Sequence, residues 1–510
     1  MRRRQLLRHF LSAATALPFT SALLHGADAH AGDAAPFATG LREHPWLVGW
    51  KSMTTESIGP FTAEVQGHLP AGLVGTLYRN GPAWYERAGF RYEHWFDGDG
   101  MVQGWRLGPE GICHHARMVA TPKFTREQLA GRFQFPAAGT VVPDALPVRN
   151  NDDTNVANTS VTMIAGRLFA LCESGSAFEL DPDQLTTLGP VTWRKDLAAL
   201  PFSAHPLRDG DGSVWNFGSL ALLGGAGAGL ILWHVGADGR LIDARVLDAP
   251  VQGYIHAFAM TRRHLVFVLM PFHFAEGEGA FFERMRFEPA QGCRIAVVPK
   301  DSQAQARWFE AEFAAVYHFG DASERAGHIV MRAVRHSDPD AMLSPNRAAM
   351  AGKASSRGSE ARVADLRLDL KTGRARWQPH AAPDLEFPQF DARTPDDRTA
   401  RLYAAAVAGA TTAPYFNAVV GLDPERGQQQ LWRYGPDILA EDTCSCRARA
   451  AANRMTDGWS AHCSMPSRAV AGSRFSMQGA STMVRSRWPG CLTQCRSAFT
   501  GTSQRAPDGG

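Results

Sequence analysis

Leu230-Ile231-Leu232-Trp233-His234-Val235, followed after Gly236 by Ala237-Asp238-Gly239-Arg240, is a short apolar run closed by a turn. A run of that length, rich in β-branched and aromatic residues and ended by Asp-Gly, is strand chemistry. The pattern recurs in both directions. Upstream lies Gly166-Arg167-Leu168-Phe169-Ala170-Leu171-Cys172. Downstream lie His264–Met270, Cys293–Val298, Ala361–Leu370 and Phe416–Leu422, each ending at Gly, Asp or Pro chemistry. Few stretches keep a 3.6-residue period, although Arg126–Phe133 reads as a short helix. No repeat period is exact. Many strands at irregular spacing over ~400 residues predict an all-β propeller, which closes radially and leaves only short edges.

The composition agrees. The chain has 510 residues, 45% hydrophobic and 20% charged, which excludes a disordered scaffold and a collagen-like rod. Its net charge of +3 excludes a strongly basic nucleic-acid binder. The first 31 residues have a different character. Arg2-Arg3-Arg4 precedes an apolar run from Phe10 to Leu24, and Ala27-Asp28-Ala29 and Ala29-His30-Ala31 offer small-residue cleavage sites. This is the order of a secretory signal, expected to occupy residues 1–31. Arg3-Arg4-Gln5-Leu6-Leu7 resembles the twin-arginine motif, so the export partner expected is the twin-arginine machinery and the destination the periplasm. The alternative, an uncleaved anchor, is disfavoured because the run falls short of the ~20 apolar residues that span a bilayer.

Three histidines stand out. His205 lies in Pro201-Phe202-Ser203-Ala204-His205-Pro206, His256 in Gly253-Tyr254-Ile255-His256-Ala257-Phe258, and His318 in Ala315-Val316-Tyr317-His318-Phe319-Gly320. Gaps of 51 and 62 residues are each about one four-stranded blade. Imidazole is a good ligand for Fe, Zn, Cu and Ni, and ligands from successive blades would converge on the axis. Taken one at a time, each would read as an ordinary hydrogen-bonded histidine.

Further stretches carry a resemblance. Gly75-Thr76-Leu77-Tyr78-Arg79-Asn80-Gly81-Pro82 and His94-Trp95-Phe96-Asp97-Gly98-Asp99-Gly100-Met101-Val102 are similar to the N-terminal signature of the carotenoid cleavage oxygenases. That family includes the lignostilbene dioxygenases and the retinal pigment epithelium isomerase. The similarity continues through Asn158-Thr159-Ser160, Leu168–Gly175, the three histidine contexts and Leu385-Glu386-Phe387-Pro388, over roughly residues 40–441.

The resemblance implies a seven-bladed propeller with a non-haem Fe(II) on its axis, held by four histidines and backed by three glutamates. His205, His256 and His318 match three ligands. Glu173 and Glu386 match two of the glutamates, with Glu441 a weaker match for the third. A carboxylate on the far ring nitrogen fixes the tautomer and strengthens the ligand. Thr159 matches a threonine whose methyl crowds one open iron position and leaves room for dioxygen. Departures stand at Ala257, Asp321 and Leu207, where the family commonly has Asp, Asn and Lys. The implied reaction is cleavage of a conjugated C=C bond by O2 to two carbonyl products. The substrate would be an apolar apocarotenoid or stilbene-like molecule, with peripheral membrane contact for its uptake. The rivals are a propeller that isomerises or binds without cleaving, and a propeller hydrolase without iron.

The C-terminal stretch from 442 to 510 breaks the pattern. It holds five of the eight cysteines, but only five Leu, Ile, Val or Phe in 69 residues, too few to offset the entropy of ordering. The fourth ligand's Gly-Phe-His-Gly context is missing. Back-translated with GC-rich codons and read two bases on, Cys491–Ser503 becomes P-H-A-V-P-L-G-F-H-G-H-F, which contains it. The same shift turns Asp442–Arg447 into H-L-F-V-P. These matches predict a frameshift near Glu441-Asp442, a disordered tail, an incomplete last blade and no fourth metal histidine in this frame.

Overall fold

The computed structural model describes residues 32–66, 73–221, 228–301, 304–354, 360–390, 400–409, 415–423, 426–434, 438–446, 459–466, 474–477, 482–485 and 498–500. The expected signal, 1–31, lies outside the described residues.

The fold is an all-β propeller. Its sheets follow one another along the chain as antiparallel meanders. One comprises Ser160–Ile164, Arg167–Leu171, Phe178–Leu180 and Thr187–Pro190. The next comprises Leu207–Arg208, Val214–Ser219, Gly229–Val235 and Leu241–Asp248. A third runs Gly253–Tyr254, His264–Phe274, Cys293–Pro299 and Arg307–Ala311, with Ala259–Met260 and Met285–Phe287 also paired to its long second strand. Ala315–Arg325, His328–His336, Ala361–Asp369 and Ala375–Pro379 form a fourth. Leu385–Phe390, Leu402–Ala406, Ala418–Asp423 and Gln428–Arg433 form a fifth.

The sixth sheet corrects the expected blade count. Among the described residues there are six sheets of four or more strands, not seven blades. The reason is the strand Ser57–Gln66. Its first part pairs with Gly111–Met118, its register shifts between Ile58 and Phe61, and its last residues pair with Thr482–Arg485. One strand thereby joins the N-terminal group to Ile438–Cys446, Trp459–Pro466 and Arg474–Met477 in a single nine-stranded sheet. The backbone of the C-terminal stretch thus contributes paired strands where an incomplete last blade was expected. The side chains after Glu441 lie outside the described residues.

Strand alternation builds the core. In Gly229–Val235, Leu230 and Leu232 pack toward Leu265, Phe267 and Leu269 of the following sheet, while Ile231 and Trp233 pack toward Phe169 and Leu171 of the preceding one. Val266 and Val268 then face Ile329, Met331, Leu366 and Leu368 of the sheet beyond. A strand buried on both faces must be apolar at every position, which is why these runs lack polar alternation. Full burial of each such side chain is worth about 1.5–3 kcal/mol. The first strands of successive sheets touch, Ala315–Arg325 against Leu385–Phe390 and Leu385–Phe390 against Ile438–Cys446, so first strands line the interior.

A cap of Trp46, Trp50, Trp95, Phe124, Phe133 and neighbouring residues forms its own cluster. The helix expected at Arg126–Phe133 spans Pro122–Ala130, started by Thr121, whose Oγ1 accepts from Phe124 N–H, and stopped by Gly131 at φ +65°. The helix Ala35–Glu43 was not anticipated. No helix among the described residues is long and apolar enough to cross a membrane. Cys113, Cys172 and Cys293 are free.

Candidate metal centre

Each histidine enters from the inner edge of a different sheet. His205 ends a loop just before Leu207–Arg208. That loop is pinned to the next strand, since Ser203 N–H donates to Phe217 O at 2.8 Å and Asn216 Nδ2 donates to Ser203 O at 2.7 Å. His256 follows the strand Gly253–Tyr254. His318 lies in Ala315–Arg325, where the register moves from Val316↔Arg335 to Phe319↔Ala333. That is three residues against two, a bulge of the kind that re-aims a side chain.

The three rings meet. His205 Nε2 and His256 Nε2 lie 2.8 Å apart, and the ligand nitrogens of all three histidines fall within 4.8 Å of one another. The ring planes of His205 and His256 both stand nearly perpendicular to that of His318, at 89° and 90°. His205 and His318 are buried and His256 partly so. Among the described residues this is the one group of three or more His, Cys, Asp or Glu with such geometry.

Two of the predicted glutamates stand behind the rings. His256 Nδ1 donates to Glu173 Oε1, and His318 Nδ1 donates to Glu386 Oε2 at 2.9 Å. With the proton fixed on Nδ1, the Nε2 lone pair of each ring is free to point away from its carboxylate. Lone pairs crowded into so small a space repel unless a proton or a cation lies between them. The donor set of neutral imidazoles, two of them backed by carboxylates, therefore fits a first-row divalent metal.

Glu386 is fully buried. Burial alone would raise its pKa, but His318 and His336 outweigh that and hold the carboxyl well below its usual range. Tyr254 donates to Glu173 Oε1 at 2.7 Å, and burial together with the Glu173 charge pushes its hydroxyl well above the ordinary tyrosine value.

The other predicted residues are placed differently. Thr159 stands just before the inner strand Ser160–Ile164, with its N–H donating to Leu171 O at 2.9 Å and its Oγ1 to Asn158 Oδ1 at 3.0 Å. Glu441 forms a buried ion pair with Arg79 Nη2 at 2.5 Å. Sequence reasoning missed Tyr254, His336 and Phe387. Tyr254 sits two residues before His256, so its place beside that ring's carboxylate could have been inferred. A lone histidine at 336 carries no such signal.

A propeller whose inner strands bring imidazoles to one point, with carboxylates behind two of them, defines a class of candidate metal-centre proteins. The chain belongs to the Retinal pigment epithelial membrane protein family, the carotenoid cleavage oxygenases, whose model matches residues 50–465. It is 30% identical over 309 residues to the apocarotenoid-15,15'-oxygenase of Synechocystis, covering 57% of this chain and 61% of that protein. It is 31% identical over 289 residues to the isoeugenol monooxygenase of Pseudomonas nitroreducens, covering 56% and 59%. The match thus spans less than two thirds of the length of either relative. A carotenoid 9,10(9',10')-cleavage dioxygenase 1 of Phaseolus vulgaris is 26% identical over 421 residues, covering 76% and 74%. Among solved structures, cobalt-substituted Synechocystis apocarotenoid oxygenase superposes with a TM-score of 0.77 at 22% identity, over 90% of this chain and 98% of that one. At that identity the likeness establishes the fold.

Proposed function

We propose that the chain is a metal-dependent oxygenase that cleaves a conjugated C=C bond of an apolar substrate to two carbonyl products. The convergence of His205, His256 and His318 within 4.8 Å carries this reading. The names of the relatives support it, being apocarotenoid, isoeugenol and carotenoid oxygenases. The metal proposed is Fe(II), which when bound would supply the binding and activation of O2. The residues' own part is to hold and orient. His205, His256 and His318 are the ligands, and Glu173 and Glu386 keep the ring protons on the outer nitrogens of His256 and His318. Thr159 is assigned the crowding of one open position. The rings of Tyr317 and Phe387 lie beside those of His256 and His318, with the Tyr254 hydroxyl 3.4 Å from His256 Nδ1, and these aromatic residues suit an apolar, extended substrate such as an apocarotenoid or a stilbene-like molecule.

Residues 1–31 are proposed to direct twin-arginine export to the periplasm, on the strength of their n-, h- and c-region order. The stretch after Glu441 is proposed to be frameshifted, depriving this chain of a fourth imidazole. Even changes behind a ligand lower metal affinity by ~10–100-fold, so loss of a ligand should impair the chain as translated.

The test pairs the 510-residue chain with one whose shifted frame is restored. Both are purified, analysed for iron, and incubated with a carotenoid and stilbene panel under labelled O2. Restoration should raise iron content and turnover, and His256→Ala in the restored chain should abolish both. Normal iron and turnover in the chain as translated would defeat the frameshift proposal. Absence of iron and of cleavage from both chains would defeat the oxygenase reading.

A further inference from the structure

Glu386 is held by more than the ring it backs. Its Oε2 accepts from His318 Nδ1 at 2.9 Å and from the Phe387 backbone N–H at 2.5 Å. Its Oε1 accepts from a second imidazole, His336 Nε2, at 2.6 Å. His336 closes the strand His328–His336, and its side chain is only 3% exposed. Its ring stands edge-on to Tyr317, the residue before His318, with centroids 5.4 Å apart. The remaining nitrogen, Nδ1, is buried and has no hydrogen-bond partner among the described residues.

That last fact separates a packing residue from a placed one. Donation to a carboxylate puts the proton on Nε2 and leaves Nδ1 a bare acceptor inside the protein. A buried acceptor without a partner is unfavourable, and an apolar side chain would fill the space without that penalty. What the imidazole adds is a donor aimed at Oε1. The two glutamates differ in this respect. Glu173 receives both His256 and Tyr254 on Oε1. In Glu386 the two oxygens are anchored separately, so the carboxylate cannot rotate without breaking one bond or the other.

We propose that His336 is a positioning residue of the metal centre: by anchoring Oε1 of Glu386 it keeps Oε2 in line with His318 Nδ1, and so keeps His318 Nε2 turned toward the cluster. This rests on the metal reading above, and the experiment tells the two apart. The full chain is stripped of metal and titrated with Co2+, reading affinity by chelator competition and coordination from the visible absorption bands. His336→Phe keeps a ring and loses the donor. It should bind Co2+ ~10–100-fold more weakly and shift the bands, as changes behind a ligand do. His336→Gln, whose amide can donate to the same oxygen, should recover most of the affinity and the original bands. His264→Phe removes another histidine–carboxylate pair, His264 with Glu324, and should leave both readings unchanged.

Wild-type affinity and bands in His336→Phe overturn the proposal if His318→Ala has lost Co2+, and the metal reading then stands. If His318→Ala binds as tightly as wild type, the cluster is not the metal site and both readings fall. Should His336→Phe not fold, His336→Asn replaces it. Its amide is too short to reach Glu386, so affinity equal to that of His336→Gln overturns the proposal.

Discussion

His94 Nδ1 accepts from Phe96 N–H, and its Nε2 faces the Leu343 carbonyl at 3.2 Å, so only the neutral Nε2–H ring satisfies both contacts. Burial first, and Arg347 second, lower its pKa to about 3. His114, beside Gln103 Oε1 at 3.2 Å, is likewise lowered to about 3, chiefly by burial. An unfolded histidine takes its proton near 6.5, so between that pH and about 3 the unfolded chain binds more protons than the folded one. The stability these rings contribute is complete above 6.5 and drains away as pH falls toward the folded values. At pH 4.5 one such ring should cost on the order of 2–3 kcal/mol. Urea unfolding at pH 7.5 and 4.5 should therefore show a smaller acid loss for His114→Gln than for wild type, and equal losses would refute the assignment. At this scale the three converging histidines were legible because their neighbours formed readable motifs. His336 was not, because its meaning comes from a contact to Glu386 across 50 residues.

Two inner strands carry a bulge where they supply the site. Ala315–Arg325 inserts a residue around His318, and Leu385–Phe390 slips between Glu386 and Gln389. The second bulge holds Phe387 at φ +59°, a conformation that side chains with a Cβ rarely adopt, with its ring 5.2 Å from that of His318. Counting in twos along a strand finds the strand but cannot see an inserted residue, so strands were legible and the aim of their side chains was not. The loop that carries His205 gives a sharper test. A Cβ at Gly218 would lie 2.0 Å from the Pro201 carbonyl oxygen, at the root of that loop. Gly218→Ala should lower stability by about 1–3 kcal/mol and weaken metal binding, because the loop must move. Chemical denaturation and a Co2+ titration check the two halves of that expectation. An alanine variant as stable and as well bound as wild type would mean the loop gives way freely.

The ring closes through its ends. Ser57–Gln66 bridges the two halves of the nine-stranded sheet, and Arg79 reaches across 362 residues to Glu441, both side chains buried. The sequence suggested seven separate blades because blade number was inferred by resemblance. A strand that changes partners midway leaves no mark in composition or periodicity. The ion pair has a two-part consequence. Arg79→Met removes the cation that faces the buried Glu441 carboxylate and should cost about 3–5 kcal/mol, whereas Arg79→Met with Glu441→Leu should recover much of that loss. Denaturation midpoints of the two variants decide it. A double variant no more stable than the single would show that the pair does more than neutralise itself.

The meeting of three imidazoles from three different sheets also ties ligand binding to the folding equilibrium. An extended chain holds His205, His256 and His318 more than fifty residues apart in turn, so it offers no shared binding point. A metal that recognises all three therefore binds the native state alone and raises its stability by mass action. At a free concentration 100 times the dissociation constant the gain is about 2.7 kcal/mol. The melting temperature of the chain should accordingly climb with added Co2+ and drop when a chelator is present. His318→Ala should melt at one temperature regardless of either.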